Sequence, residues 1–168
     1  MANDLYSRPA SLTDLKNIIR SLNEQGADYI LIGGYALFSH GYHRATEDID
    51  LLVPASSAAS KALIKALLVL SDKEAEKIDP DWFDEGENIR LADEVVVDLI
   101  FTTCGETYET LYSHIETIDL DGIPVKTLDL EGLLKTKQSM RDKDVMDRAI
   151  LERALAAFRN DDKPEPSF

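Results

Sequence analysis

A chain of 168 residues, 44% hydrophobic and 30% charged, fits one globular domain with a core of its own. Its net charge of −14 argues against broad binding to phosphate backbones. No apolar run approaches the ~20 residues of a membrane span, and MANDLYSRPASL has no basic region followed by an apolar one. The single cysteine, Cys104, excludes an intramolecular disulfide and a cysteine zinc cluster and suggests a reducing cytoplasm.

The charge is unevenly spread. Acidic residues crowd 72–98, whereas Lys126, Lys135, Lys137, Arg141, Lys143 and Arg148 give the last third a basic component. That strip reads either as a solvated, mixed-charge helical surface or as a seat for a nucleoside triphosphate or one tract of RNA.

The first predicted element is a helix, capped by Ser11, with Asp14 at the capping-box position and an apolar stripe of Leu12, Leu15, Ile18, Ile19 and Leu22. Gly26 is its stop. Residues 28–32 make an interior strand, and Gly33-Gly34 open a helix ending near Gly41. Backbone N–H groups at that helix start, with the helix dipole, favour an anion. His40, Tyr42 and His43 fall at its end or in the next loop, where partial burial or a C-cap competes with a metal role.

Residues 48–53 form the second strand. Side chains alternate along it, so Asp48 and Asp50 share a face, about 6.5 Å apart along the strand and within reach of one metal ion or a pair. An anion cradle beside paired carboxylates suits a metal-bound phosphate.

Pro54 breaks the strand pattern, and residues 56–70 predict a helix with Ala62, Leu63, Ala66, Leu67 and Leu70 on one face. Residues 72–87 are polar, acidic and punctuated by Gly and Pro. Within them, Trp82 and Phe83 either pack over the sheet edge or offer a stacking surface to a base. Residues 88–91 and 94–101 predict a hairpin around Ala92-Asp93. The second arm, EVVVDLIF, carries Asp98 into a run fit for burial, where a lone carboxylate is expensive. A salt bridge to Arg44 or Arg90 is one answer. Metal ligation beside Asp48 and Asp50 is the other, if the two strands pair at the usual ~4.8 Å spacing.

A short helix over 108–115 follows, then a second hairpin, 115–120 and 123–127, across the turn dipeptide Asp121-Gly122. A helix over 128–139 is capped near Thr127 or Asp129. The final helix spans 142–158, with Val145, Met146, Ala149, Ile150, Arg153, Leu155 and Ala156 mixing core and surface. The polar, proline-bearing NDDKPEPSF is expected to be disordered.

A glycine pair, thirteen residues, DID, and a later aspartate inside a β-strand resemble the signature of the DNA polymerase β-type nucleotidyltransferase superfamily. More narrowly, GGYALFSHGYHRATEDIDLLV and KTLDLEGLLKTKQSMRDKDVMD are similar to bacterial nucleotidyltransferases of the abortive-infection and toxin–antitoxin type. The resemblance covers residues 29–147. It implies an α/β (α+β) nucleotidyltransferase fold over 1–160, a mixed β-sheet flanked by helices with a C-terminal helical segment, and a tail at 161–168.

It also implies an activity: Mg²⁺-dependent transfer of a nucleoside monophosphate from a triphosphate such as ATP to a hydroxyl acceptor, with release of pyrophosphate. Asp48, Asp50 and Asp98 would be the catalytic residues and the ligands of two Mg²⁺ ions, Asp98 serving the ion nearest the acceptor. Gly33 and Gly34 would bind the β- and γ-phosphates. Arg44, Lys137, Arg141 and Lys143 are further nucleotide-binding candidates, Lys137 first among them. Acceptors in range are a tRNA end, a protein hydroxyl, or a small antibiotic such as an aminoglycoside or lincosamide. Neither a P-loop nor a G-x-G-x-x-G stands as a rival. The alternative is a catalytically weak nucleotide-binding antitoxin or regulatory partner protein of the same fold.

Overall fold

The structure is a computed structural model that describes residues 7–42 and 46–161, with side chains as far as residue 160. His43, Arg44 and the tail from residue 162 lie outside the described residues.

The elements run α1 (Leu12–Glu24), β1 (Ile30–Ile32), α2 (Gly33–Ser39), β2 (Ile49–Leu52), α3 (Ser57–Leu67), a 3₁₀ turn (Glu74–Lys77) and α4 (Asp81–Glu85). Then come β3 (Ile89–Ala92), β4 (Val96–Ile100), α5 (Tyr108–Leu111) with a 3₁₀ turn (Tyr112–His114), β5 (Ile115–Leu120), β6 (Ile123–Leu128), α6 (Leu130–Lys135) and α7 (Asp142–Asp161). The strands form one mixed sheet, ordered β3-β4-β2-β1-β6-β5. β2 runs parallel to β4 and β1 parallel to β6, while the two predicted hairpins, β3–β4 and β5–β6, pair antiparallel.

Local chemistry accounts for the ends of these elements. Ser11 and Asp14 form the reciprocal capping box of α1, and Gly26 leaves the helix at φ +65°. The tight turn between β5 and β6 takes both central residues, Asp121 and Gly122, to positive φ, which the Asp-Gly dipeptide tolerates. The core lies where the apolar stripes of α1 and α3 meet the sheet: Leu15, Ile18, Ile19, Leu22, Leu63 and Leu67 are buried with Ile49, Leu51, Val97 and Leu99. Ser21 Oγ donates to the Ala66 carbonyl at 2.7 Å and links the two helices. Among the described residues, no helix is long and apolar enough to cross a membrane.

Two expectations need correction. The helix expected over 128–139 is only α6: Leu128 stays in β6, Asp129 caps the helix onto Gly132 N, and Thr136 closes it. In α7 none of the seven residues expected to mix core and surface is fully buried. Val145 and Met146 are exposed, and the buried set is Asp144, Asp147, Leu151 and Ala154. Two carboxylates turn inward because a buried lysine meets them there, as the next section describes.

The aromatic pair divides. Phe83 is fully buried, edge-on to Phe101 at a 5.1 Å centroid separation, whereas Trp82 is 41% exposed. Packing is therefore the role of Phe83. His40, the C-cap of α2, has its Nε2 2.7 Å from the Leu128 carbonyl, which gives it a structural tie to β6.

Candidate active site

Strand register builds the site. Ile32 of β1 stands beside Asp50 of β2, Asp50 beside Asp98 of β4, and Asp98 beside Arg90 of β3, so one row crosses four strands. Residues of one row project from the same face of a sheet, and Asp48, two positions before Asp50, shares that face. Their neighbours Ile49, Leu51, Val97 and Leu99 project from the other face into the core. Strand alternation thus delivers three carboxylates to one cleft without burying any of them in the apolar layer.

At the end of β1 the chain turns into α2 at Gly33, with φ +76°. A Cβ added there would lie 3.1 Å from Asp50 Cγ and 3.2 Å from Asp50 Cβ, and nearer still to Oδ2. The glycine is therefore needed twice, for its backbone conformation and for the approach of the chain to Asp50. Ile32, the N-cap, gives α2 no side-chain hydrogen bond.

The cleft above this row has a volume of about 380 Å³ and is lined by Gly34, Thr46, Glu47, Asp48, Asp50, Asn88, Ile89, Arg90, Asp98, Ile100, Lys137, Arg141, Lys143 and Asp144. All three aspartates expected from sequence are brought together here, with Gly34, Lys137, Arg141 and Lys143. Gly33 flanks the cleft through its contact with Asp50.

The carboxylates differ in their surroundings. Burial, reinforced by the charge and hydrogen bond of Asp98, pushes the Asp50 carboxyl up to about 7, against the opposing pull of Lys137. Arg90 serves the other two: its Nη1 lies 3.3 Å from Asp98 Oδ2, and its Nη2 lies 3.3 Å from Asp48 Oδ2. The salt bridge considered for Asp98 thus exists, through Arg90, and it extends to Asp48.

Lys137 is buried, with Nζ 3.0 Å from Asp147 Oδ2 and 3.9 Å from Asp144 Oδ1. Arg148 fastens the same segment to α7 by donating to the Lys137 and Ser139 carbonyls, both at 2.6 Å. Although burial opposes ionisation of Asp144, the Ser139 hydroxyl and the Lys137 and Arg141 charges hold its carboxyl below the ordinary range. Lys137 is therefore a fixed cation at the floor of the cleft. Arg141 is mostly exposed at its rim, 3.4 Å from Asp144.

Sequence reasoning missed Asp144 and Asp147 as members of this network, along with Glu47 and Asn88 in the cleft wall. One signal was present: two acids three apart share a helix face, and here that face is the inner one.

Among the described residues, no three Asp, Glu, His or Cys side chains converge as placed into a set that could hold a metal ion. The Arg90 guanidinium reaches both Asp48 and Asp98. Three carboxylates on one face are oxygen donors of the kind a hard divalent cation takes.

The fold has a match among solved structures. The chain is similar to a provisionally assigned nucleotidyltransferase from Thermotoga maritima, with 14% identity over 96% of each chain and a TM-score of 0.54. It is also similar to an antigenic nucleotidyltransferase-like protein from Paracoccidioides brasiliensis, with 19% identity over 92% of this chain and 91% of the other, at a TM-score of 0.47. Neither a protein-family model nor a curated protein sequence matches the chain.

Proposed function

We propose that the chain is a nucleotidyltransferase that moves a nucleoside monophosphate from a nucleoside triphosphate to a hydroxyl acceptor. The observation that carries this reading is the row Asp50–Asp98, with Asp48 on the same face and the Gly33 turn closed over Asp50. In the reaction, an acceptor oxygen forms a bond to the α-phosphorus, the bond from that phosphorus to the β-bridging oxygen breaks, and pyrophosphate leaves. The hydroxyl proton is lost to a carboxylate of the cleft or to water.

Asp48, Asp50 and Asp98 would hold Mg²⁺, which supplies charge neutralisation for the attacking and leaving oxygens. The protein's own share is positioning. Gly33 and Gly34 present backbone to the phosphates without a side chain in the way. Lys137 supplies a fixed positive charge beside Asp50, while Arg141 and Lys143 line the mouth, where the β- and γ-phosphates project. Asp144 and Asp147 orient Lys137 and prevent it from folding onto Asp50.

A thermal-shift panel tests the reading: each ribonucleoside triphosphate, with Mg²⁺ and with chelator, on wild type and Asp50→Asn. At 100 times Kd the bound nucleotide stabilises by about 2.7 kcal/mol, a rise of roughly 5–10 °C for a domain of this size. The expected result is a Mg²⁺-dependent rise that the substitution abolishes, followed by transfer of α-labelled phosphate to an acceptor. No rise with any triphosphate would sink the proposal. Binding without transfer to any acceptor, combined with tight capture of a protein partner, would favour the nucleotide-binding antitoxin reading.

A further inference from the structure

We propose that Arg90 and a divalent cation are alternative partners of Asp48 and Asp98, so that Arg90 gates the carboxylate site and passes to the triphosphate when the cation enters. The inference rests on the nucleotidyltransferase reading and adds to it a residue with two positions.

Among the described residues of the cleft, Lys137 and Arg90 are built differently. Lys137 is buried and clasped by Asp147 and Asp144. Arg90 stands on β3, the outermost strand of its side of the sheet, and its side chain is about half exposed. Its contacts are long: 3.3 and 3.4 Å to the two Asp98 oxygens and 3.3 Å to Asp48. Tight charge-assisted bonds of this kind measure about 2.7–2.9 Å. These bonds to the two carboxylates are long and lie at a solvent-exposed position, where such pairs contribute little and exchange readily.

Arg90 and a divalent cation compete for the same oxygens. A guanidinium has no acceptor atom and does not shed its proton, so it can neither ligate a metal nor become neutral beside one. Arg90 touches both Asp98 oxygens and Asp48 Oδ2, so a divalent ion held by Asp48 and Asp98 competes with it for those oxygens and repels its charge. Register limits where it goes: Arg90 is anchored opposite Asp98, and Ile89 of the same strand, with Asn88 just before it, lines the cleft beside it. Swung off the carboxylates, its guanidinium remains at the cleft wall, with a planar fork suited to phosphate oxygens. Cation and nucleotide then favour one another, because the first releases the arginine that the second needs.

The test uses the full chain, with wild type and Arg90→Gln compared by titration with Mn²⁺ alone, read by electron paramagnetic resonance and by thermal shift. With Arg90 gone from Asp48 and Asp98, Arg90→Gln is expected to bind Mn²⁺ at least about 5-fold tighter, the lower end of ordinary coupling between sites. With Mg²⁺ saturating, it is expected to bind a non-hydrolysable triphosphate at least about 5-fold more weakly. Arg90→Lys is titrated beside it because it keeps the charge and loses the fork: tighter Mn²⁺ binding in both variants supports the exchange, whereas tightening in Arg90→Gln alone reports charge only and overturns the gate, as does equal or weaker Mn²⁺ binding by Arg90→Gln. Unchanged triphosphate affinity overturns the transfer to phosphate.

If Arg90→Gln does not fold, Arg90→Lys answers the same question. Its single ammonium cannot bridge both carboxylates as a fork does, so Mn²⁺ again binds tighter. Wild-type Mn²⁺ binding that the variant does not improve removes the gate and leaves the nucleotidyltransferase reading intact. Tighter Mn²⁺ binding by the variant with no triphosphate binding by either protein supports the gate and removes that reading.

Discussion

Replacing Gly33 with alanine isolates the feature on which the site depends. A residue with a Cβ loses about 1–2 kcal/mol at left-handed φ, and Gly33 sits at φ +76°. The added carbon also falls 3.1 Å from Asp50 Cγ and closer to Oδ2, so Asp50 must move inside a packed wall. Overpacking of that kind costs about 1–3 kcal/mol. Together they predict a loss of about 2–5 kcal/mol, or a fall in Tm of roughly 5–15 °C for a domain of this length. Gly26→Ala is the control, because Gly26 has φ +65° and nothing within 4 Å of the added Cβ. It should show the backbone share alone. In an Asp50→Ala background the penalty of Gly33→Ala should drop to that of the control, a coupling that a double-mutant cycle reads directly. A Gly33→Ala protein that melts within a degree or two of Gly26→Ala would refute the close-approach argument. So would a penalty that survives intact without the Asp50 side chain.

Lys137→Met removes the buried cation beside Asp147 and Asp144, the latter keeping Ser139 and Arg141, and should cost up to about 3–5 kcal/mol in chemical denaturation. Adding Asp147→Leu should return part of that stability without restoring triphosphate binding. Phe83→Ala, which empties a fully buried site against Phe101, should cost about 3–5 kcal/mol, whereas Trp82→Ala should stay within about 1 kcal/mol of wild type. The Arg8 guanidinium, at 2.6 and 2.8 Å, holds the Asp14 carboxyl well below the usual carboxylate range. A depressed carboxyl contributes stability above its unfolded pKa and loses it as pH falls through the folded one. Asp14→Asn should therefore lower Tm at pH 7, and its deficit should shrink once the pH drops below about 4, where the unfolded carboxyl begins to protonate.

Most of the fold was legible because its signals are local. Ser11 with Asp14, the Asp121-Gly122 turn and the alternation of DID each specify geometry within a few residues, and each appears where expected. The inner face of α7 was not legible. Its sequence pattern gives Val145, Met146, Ala149, Ile150, Arg153, Leu155 and Ala156 as a mixture of core and surface, yet Asp144 and Asp147 are buried with Leu151 and Ala154, because Lys137 approaches from a segment that no local pattern links to that face. The role of Arg90 was half legible: its possible bond to Asp98 follows from the hairpin, whereas the bridge to Asp48 needs the parallel pairing of β2 with β4.

That parallel pairing is the step on which the site turns, and its register has little freedom. Asp50 stands opposite Asp98 because Ile49, Leu51, Val97 and Leu99 must all face the core. A slip of one residue would send Asp98 into the apolar layer and bring Leu99 or Val97 to the cleft, since side-chain direction has a period of two. A slip of two would keep the faces but carry Asp98 about 6.5 Å along the strand, away from Asp50. It would also separate Arg90 from Asp48, because β3 follows β4 through their hairpin. Hydrophobic burial on one face therefore fixes the position of the carboxylates on the other. A destabilising change in the core row, such as Val97→Asn, should weaken divalent-cation binding while touching no ligand, and Val97→Ile should leave it intact.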